Sequence, residues 1–272
     1  TKYAGTVDEK FYTESKSSLV TNQDYDFTGA KTVKVYSVGT SAMNDYGRNT
    51  TGTARYGTVG DLSVTEQEMV MAKDRSFTFA IDKMDEDETV GALNAGSALA
   101  RQLREVTMPE VDTYTYLKMA ANAGNSATGT FTSSSAYADI TLGTETLDEA
   151  EVPVDGRVLL TTPAGYKAIK GSSDIILDTE IGQDMRIKGV VANLDGMFIQ
   201  KLPSKYFATG LNFMIAHKVA TVRPIKLAEY KIHTDVVGVS GSVVEGRIYY
   251  DAFVLDNKAD AIYTHFMSGY SA

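Results

Sequence analysis

The stretch from Asp85 to Gly124 constrains this chain most, because it is the only long segment that reads as one helix. It opens on a cluster of acids, Asp82, Asp85, Glu86, Asp87 and Glu88, where negative charge meets the positive end of a helix dipole. Asp85 followed by Glu88 is a capping-box-like start. Val90, Leu93, Ala100, Leu103, Val106, Val111, Tyr114, Leu117 and Ala121 then recur close to helical spacing, so one face is expected to be buried throughout. Gly124 supplies a stop. A helix of this length spans roughly 60 Å, at least the width of a domain of this size. Pro109 removes one backbone donor inside it, which predicts a kink or break near Thr107–Met108. The small residues from Gly91 to Ala98 either let another backbone pass close by or mark a poorly packed turn.

The remaining composition bounds the function. With 272 residues and 43% hydrophobic content, the chain can bury a sizeable core as one elaborate domain or two closely packed ones. No apolar run approaches the ~20 residues needed to span a membrane. The first residues, Thr1 to Gly5, have neither a basic nor an apolar signal region, so a soluble chain is expected. The absence of cysteine excludes disulfides and thiolate metal sites. A net charge of −9 argues against tight wrapping of nucleic acid, which needs clustered Lys and Arg.

Taken in order, residues 1–30 are polar with scattered anchors, among them Tyr3, Phe11, Tyr12 and Tyr25. They read as an arm that either buries its aromatics on a neighbouring chain or is a flexible tail. Lys31 to Val38 alternates as a half-buried strand, and Gly39 to Gly60 is a long excursion without periodicity, of the kind that is functional or disordered. Leu62–Met71 and Ser76–Asp82 read as partner strands around a turn at Ala72–Arg75. After Gly124, the Ser/Thr/Ala/Gly stretch Asn125–Ala138 is a candidate interdomain passage, and Thr144–Ala150 a short helix. Arg157–Thr161 reads as a buried strand, and Thr162 with Pro163 as the cap and first turn of a helix that breaks at Gly171. Asp195-Gly196 is a hairpin turn. From Leu211 on, the chain reads as strands: Phe213–Val222, Leu227–Ile232, Val236–Val239, and Val243–Leu255, with Val244, Ile248, Tyr250, Ala252 and Val254 on one face. After a turn at Asp256–Asp260, Ala261–Phe266 returns. The fold class is α+β.

Little of this points to catalysis. His217, His233 and His265 sit in separate strands without ligand spacing and read as packing or surface residues. Neither the zinc-protease helix pattern nor the nucleophile-elbow pattern occurs. Gly52 and Gly57 imitate phosphate-loop spacing, but Thr58 and Val59 stand where Lys and Ser/Thr are needed. The acids at Asp85–Asp87 lack the glycine and closing glutamate of a calcium loop. Asn49-Thr50-Thr51 is a formal glycosylation sequon with no other sign of a secreted eukaryotic context. Neither a cofactor nor a metal is expected. An arm, a long loop and a strut helix suit contacts with other copies of the same chain.

The order of elements carries a resemblance. An arm, a strand, a long loop and an acid-started helix holding Met108-Pro109-Glu110-Val111-Asp112 are followed by two motifs. These are Val152-Pro153-Val154-Asp155-Gly156-Arg157-Val158-Leu159-Leu160-Thr161-Thr162-Pro163 and Gly246-Arg247-Ile248-Tyr249-Tyr250-Asp251-Ala252. Across essentially its whole length, the chain resembles the HK97-like major capsid proteins of tailed double-stranded DNA bacteriophages.

The resemblance implies an α+β HK97-like capsid fold: an N-arm (1–30), a P domain (31–124) with an E-loop (36–66) and spine helix (85–124), an axial A domain (125–230), and closing P-domain strands (231–272). It implies self-assembly, as hexamers and pentamers, into an icosahedral virion head around packaged DNA, assembled in the host bacterial cytoplasm. Portal, scaffolding and decoration proteins would be partners, DNA would be touched only weakly and non-specifically, and no membrane or catalysis would be involved. Inter-subunit contact would fall on Asn44, Tyr46, Arg48, Arg55 and Tyr56 of the E-loop and on Tyr3, Phe11 and Tyr12 of the N-arm, and Pro109 would be the spine-helix bend.

The chain departs from the founding member in having no lysine between Val35 and Gly60, so autocatalytic isopeptide cross-linking from this loop is not expected. No acidic helical scaffolding extension is read before Thr1, so a scaffold is expected as a separate protein or as a part removed earlier. The helix before Val152 reads as short for the A domain. Two other readings stay open: an encapsulin-type nanocompartment shell, which neighbouring cargo genes would favour, and a surface adhesin or fibre module binding through residues 39–60. An adhesin would remain monomeric or trimeric, whereas a shell protein forms capsomers.

Overall fold

The computed structural model describes residues 17–22, 25, 31–48, 54–88, 94–172, 193–234 and 236–271. Its centre is a six-stranded sheet in the spatial order β4 (Asn125–Thr128), β13 (Ile262–Phe266), β8 (Leu211–His217), β5 (Arg157–Thr161), β7 (Met197–Lys201), β6 (Asn193–Leu194). Every residue of β5, β8 and β13 is buried, because helices cover both faces. On one face Leu159, Phe213, Ile215 and Tyr263 pack with Ala136, Ile140 and Leu147 of α4 (Ala136–Glu149) and Ile169 of α5 (Pro163–Gly171). On the other, Val158, Leu160, Met214 and Ile262 pack with Tyr116 and Met119 of α3 (Met108–Ala121).

Local signals placed several of these elements. The Thr162 hydroxyl accepts a hydrogen bond from the Gly165 N–H at 3.1 Å and starts α5, with Pro163 in the first turn. Asp195 (φ 51°) and Gly196 (φ 73°) make the turn between β6 and β7. Arg157 explains one motif: its guanidinium turns back to the carbonyls of Val152 (2.5 Å) and Pro153 (3.0 Å) and to Asp148 (2.7 Å). Two expectations fail. The helix read as Thr144–Ala150 is the fourteen-residue α4, and the stretch read as a passage contains β4 and the start of that helix. Its Ser/Thr-rich sequence is weakly helix-forming, and tertiary burial of Ala136, Ile140, Gly143 and Leu147 decides the outcome. Gly143 is required there, since a Cβ would stand 2.9 Å from Ile215 and from the Tyr263 ring.

The long helix begins later than its acids suggest. Asp82–Glu88 belong to the end of β3 (Lys73–Asp82) and to a separate short helix, α1 (Lys83–Glu88). The main helix starts at α2 (Ala95–Gln102), where the Asn94 side chain accepts from the Gly96 N–H at 2.9 Å. It then passes through a π-helical turn, Leu103–Thr107, into α3 without leaving helical dihedrals. The three segments together span about 40 Å. Pro109 sits just after the widened turn, so the perturbation expected near Thr107–Met108 takes the form of one extra residue per turn instead of a break. That residue moves the buried strip on by one position. Val111, Asp112, Thr115, Tyr116, Met119 and Ala120 are buried, whereas Val106 and Leu117 of the expected strip are exposed.

The strands flanking this helix also pair differently from the expectation. β2 (Val64–Val70) and β3 are not partners. β2 pairs with β1 (Thr32–Val38), and β3 pairs with β11 (Gly241–Tyr250), which pairs in turn with β10 (Ile225–His233). The hairpin reading placed a tight turn at residues 72–75, but the chain runs straight on from one ribbon into another sheet. Val244, Ile248 and Tyr250 alternate inward as read, against Ala95, Leu99, Val111 and Tyr114 of the helix. Ala252 and Val254 are also buried, but they follow a break and belong to the β12 (Phe253–Val254) region, which pairs with β9 (Thr221–Val222). Val236–Val239 is a turn around Gly238 (φ 90°), not a strand. Residues 262–266, grouped on sequence with the closing P-domain strands, lie inside the six-stranded sheet.

Residues 17–22 of the segment read as an arm are seated on their own chain. Val20 is fully buried in the core, and Asn22 exchanges backbone hydrogen bonds with Thr221 (2.8 Å) and Arg223 (3.3 Å). The Ser17 hydroxyl donates to Asp112 of α3 at 2.5 Å, and the Arg223 guanidinium donates both to Asp112 at 3.3 Å and to Ser17. All three side chains are largely buried, so the charges depend on each other. Asp112→Ala, which strands Arg223, is expected to lower unfolding free energy by about 3–5 kcal/mol. Ser17→Ala should cost only about 1 kcal/mol. Chemical denaturation of the two variants tests the order, and equal losses would refute it.

Candidate inter-subunit surfaces

A two-stranded ribbon stands out from the body. β1 and β2 run antiparallel from Thr32↔Val70 to Val38↔Val64, and their side chains alternate between two faces. Val33, Val35 and Met69 turn inward onto Val222 and Leu255. Tyr36, Val38, Val64 and Val70 turn outward and are exposed, with Lys34 and Glu66 paired at 3.0 Å beside them.

Three hydrogen-bond groups fix the root of the ribbon. The Gln67 amide donates to the Val254 carbonyl (2.8 Å) and to Asp256 (2.9 Å), and accepts from the Asp256 N–H (3.1 Å). The Tyr249 hydroxyl donates to the Met71 carbonyl at 2.9 Å. Asp251, 2% exposed, accepts from the Ala72 N–H, the Tyr114 hydroxyl and the Ala252 N–H, each at 2.8 Å. One carboxylate therefore ties the ribbon to α3 and to the end of β11. Burial and then Asp251 push the Tyr114 hydroxyl well above the usual phenol range. Burial together with Glu110 pushes Tyr250 up to about 12.

Beyond the root, Gly39 donates to the Ser63 carbonyl at 2.7 Å and the chain opens into a loop. Tyr46 and Tyr56 of the expected contact set meet edge to face at 5.0 Å, and Gly47 donates to the Arg55 carbonyl at 3.0 Å. Asn44 lies against Gly57, whose φ of +85° and closeness to the Asn44 amide leave no room for a side chain. Arg48 is exposed near this neck. The structure thus gathers Tyr46, Arg55 and Tyr56 and sets Asn44 beside them. Tyr3, Phe11 and Tyr12 lie outside the described residues. Met43 and Val59, each 96% exposed, are more open than Tyr46 (48%) or Tyr56 (81%) and were not singled out by sequence.

The histidines do not converge. His217 accepts from the Val219 N–H at Nδ1 and donates from Nε2 to the Asp155 carbonyl at 2.9 Å, which holds it as a packing residue. His233 is partly exposed, 3.4 Å from Glu245. His265, 3% exposed, stacks on Phe213 at 5.0 Å and accepts from the Asn212 amide. Burial lowers its pKa, against a smaller opposing effect of Asp139. Among the described residues no group of three or more His, Asp or Glu side chains could hold a metal, and no helix is long and apolar enough to cross a membrane.

No protein-family model and no curated protein sequence matches this chain. Solved structures do. The chain is similar to one from Mycobacterium phage Che8, with a TM-score of 0.79 at 16% identity, over 97% of this chain and 96% of that one. It is equally similar to a chain of the capsid of cyanophage P-SCSP1u, with a TM-score of 0.79 at 16% identity, over 99% and 93% of the two chains. A chain of the mature capsid of bacteriophage PhiM1 matches with a TM-score of 0.77 at 10% identity, over 99% and 92%. The likeness spans each chain almost completely and establishes the HK97-like α+β capsid fold.

Two expected outcomes follow from the buried groups. Asp251→Ala leaves the Ala72 N–H and the Tyr114 hydroxyl without their acceptor and should cost about 1–3 kcal/mol for each stranded group. Hydrogen exchange at the ribbon root should accelerate more than in the central sheet, and unchanged protection there would refute the assignment. For His265, the folded pKa lies below the unfolded value of ~6.5, so both states are neutral above pH ~7 and no penalty exists there. As pH falls below ~6.5 the unfolded chain takes up a proton that the folded site resists, and stability drops by at most ~1.4 kcal/mol per unit. His265→Asn should show a shallower fall in Tm between pH 7.5 and 5 than the parent; parallel curves would exclude His265 as the cause.

Proposed function

We propose that this chain is a structural shell subunit, the major capsid protein that self-assembles into the icosahedral head enclosing the packaged DNA of a tailed phage. The observation that carries the reading is the near-complete match of fold to chains from phage capsids, combined with a ribbon whose outer face and loop leave apolar side chains in solvent. Met43, Val59, Tyr56 and Leu62 lie within one short stretch of chain. Burying side chains of this size against a neighbour contributes about 1.5–3 kcal/mol each, and repetition by symmetry multiplies the gain.

Residues 36–66 then serve as the E-loop, 95–121 as the described spine helix, and the six-stranded sheet with α4 and α5 as the axial domain around which hexamers and pentamers close. Pro109 and the widened turn before it mark the place where the spine accommodates differently curved positions. Portal, scaffolding and decoration proteins are the expected further partners, packaged DNA is touched weakly by a subunit of net charge −9, and assembly takes place in the host cytoplasm.

Deleting Asn44–Arg55 should leave the fold intact, because the ribbon is pinned below that point at Gln67 and Asp251, while abolishing shells. Circular dichroism and negative-stain electron microscopy of the parent and the deletion report the two effects separately. Normal shells from the deletion chain would refute the role of the loop, and a parent that forms neither capsomers nor shells would refute the proposed function.

A further inference from the structure

A groove of about 390 Å³ runs along the exposed side of α3, walled by Pro109 and Leu117 from the helix and by Lys73 and Lys205 from the segments beside it. Tyr114 forms its floor. The Lys73 ammonium lies 4.9 Å from the centre of that ring and the Lys118 ammonium 5.8 Å. The carboxylate at the rim, Glu110, is already engaged by Arg75 at 2.7 Å. Among the described residues, none of Lys73, Lys118 and Lys205 has a carboxylate within 4.0 Å. Three cations around an apolar floor are unusual in a chain with 35 acids and 26 bases.

The complementary feature lies at the other end of the same strand. β3 starts at Lys73 in the groove and ends at Asp82, where α1 begins. Residues 82–88 carry Asp82, Asp85, Glu86, Asp87 and Glu88 against one lysine, and Met84 among them is 61% exposed. Ten strand residues separate the two features by about 30 Å, so one molecule cannot bring its own α1 to its own groove.

We propose that the groove receives α1 of a second copy of this chain, with Met84 against Leu117 and Tyr114 and the carboxylates on Lys73, Lys118 and Lys205. This inference rests on the self-assembly reading and deepens it by assigning one head-to-tail contact, a type that closes into rings or propagates. A nucleic-acid strand fits less well, because the apolar wall and the Glu110 carboxylate interrupt the basic track that phosphates need.

The absence of cysteine makes the test direct. Met84→Cys and Leu117→Cys are introduced into separate chains, which are assembled alone or together and oxidised. A disulfide-linked dimer should form in assembled material only from the mixture. In parallel, Lys73→Glu with Lys205→Glu should reduce assembly yield about ten-fold, equivalent to ~1.4 kcal/mol. Adding Asp85→Lys with Asp87→Lys in the same chain should restore it. Particles that form without the cross-link overturn this inference and leave the self-assembly reading standing. Lysine variants that assemble normally but lose co-purifying nucleic acid assign the groove to a polyanion and also overturn it. A parent chain that never assembles overturns both.

Discussion

A carboxylate removed from water has to be satisfied on every side, and Asp251 meets that demand with groups from three different parts of the chain. Its oxygens take the N–H of Ala72, where the ribbon passes into the sheet, the hydroxyl of Tyr114 on the long helix, and the N–H of Ala252. Leaving any of these groups unpaired would cost on the order of 1–3 kcal/mol, so their relative positions are held together as a set. The ribbon, the helix and the end of β11 thereby share one fixed point. The closing Tyr-Asp-Ala motif of the sequence is this fixed point, and its Tyr250 and Tyr249 neighbours bond to Glu110 and Met71 on either side of it.

Around that point the molecule divides its hydrophobic material unevenly. The central sheet is covered on both faces and uses nearly all its apolar side chains internally. The ribbon uses one face for the body and leaves the other in water. A monomer gains nothing from such an outer face, whereas an assembly gains from it at every subunit. The polar face of the β10–β11–β3 sheet shows the opposite economy: Arg247 meets Asp74 through two bonds of 2.9 and 2.6 Å, and its charges are matched within the chain.

What the sequence made legible was local chemistry. The Thr162 cap, the Asp195-Gly196 turn, the buried run Arg157–Thr161 and the inward alternation of Val244, Ile248 and Tyr250 each depend on a few adjacent residues, and each is present. The start of the long helix was misplaced because the acid cluster at Asp85 is a stronger local signal than Asn94, and the two belong to different helices. The partner of β2 could not be read, since strand pairing across thirty residues leaves no trace in either strand. α4 was shortened by its Ser/Thr content, which tertiary burial overrides. In the loop, the aromatic and arginine positions gathered around Tyr46 and Tyr56 were legible by residue type. The exposure of Met43 and Val59 was not, because exposure is a property of the surrounding fold.

The widened turn at Leu103–Thr107 has a geometric consequence of its own. Each residue of an α-helix advances the azimuth by about a hundred degrees, so one surplus residue sets the two halves of the helix a quarter-turn or more out of phase. The half before it is keyed to the sheet through Ala95 and Leu99 against Ile81 and Val244. The half after it is keyed through Val111 to Ile248 and through Tyr116 to the opposite sheet. Neither half can rotate to absorb the surplus without unseating its own contacts. The extra residue thus acts as a vernier between two separate sheets, letting one continuous helix present a packing face to each.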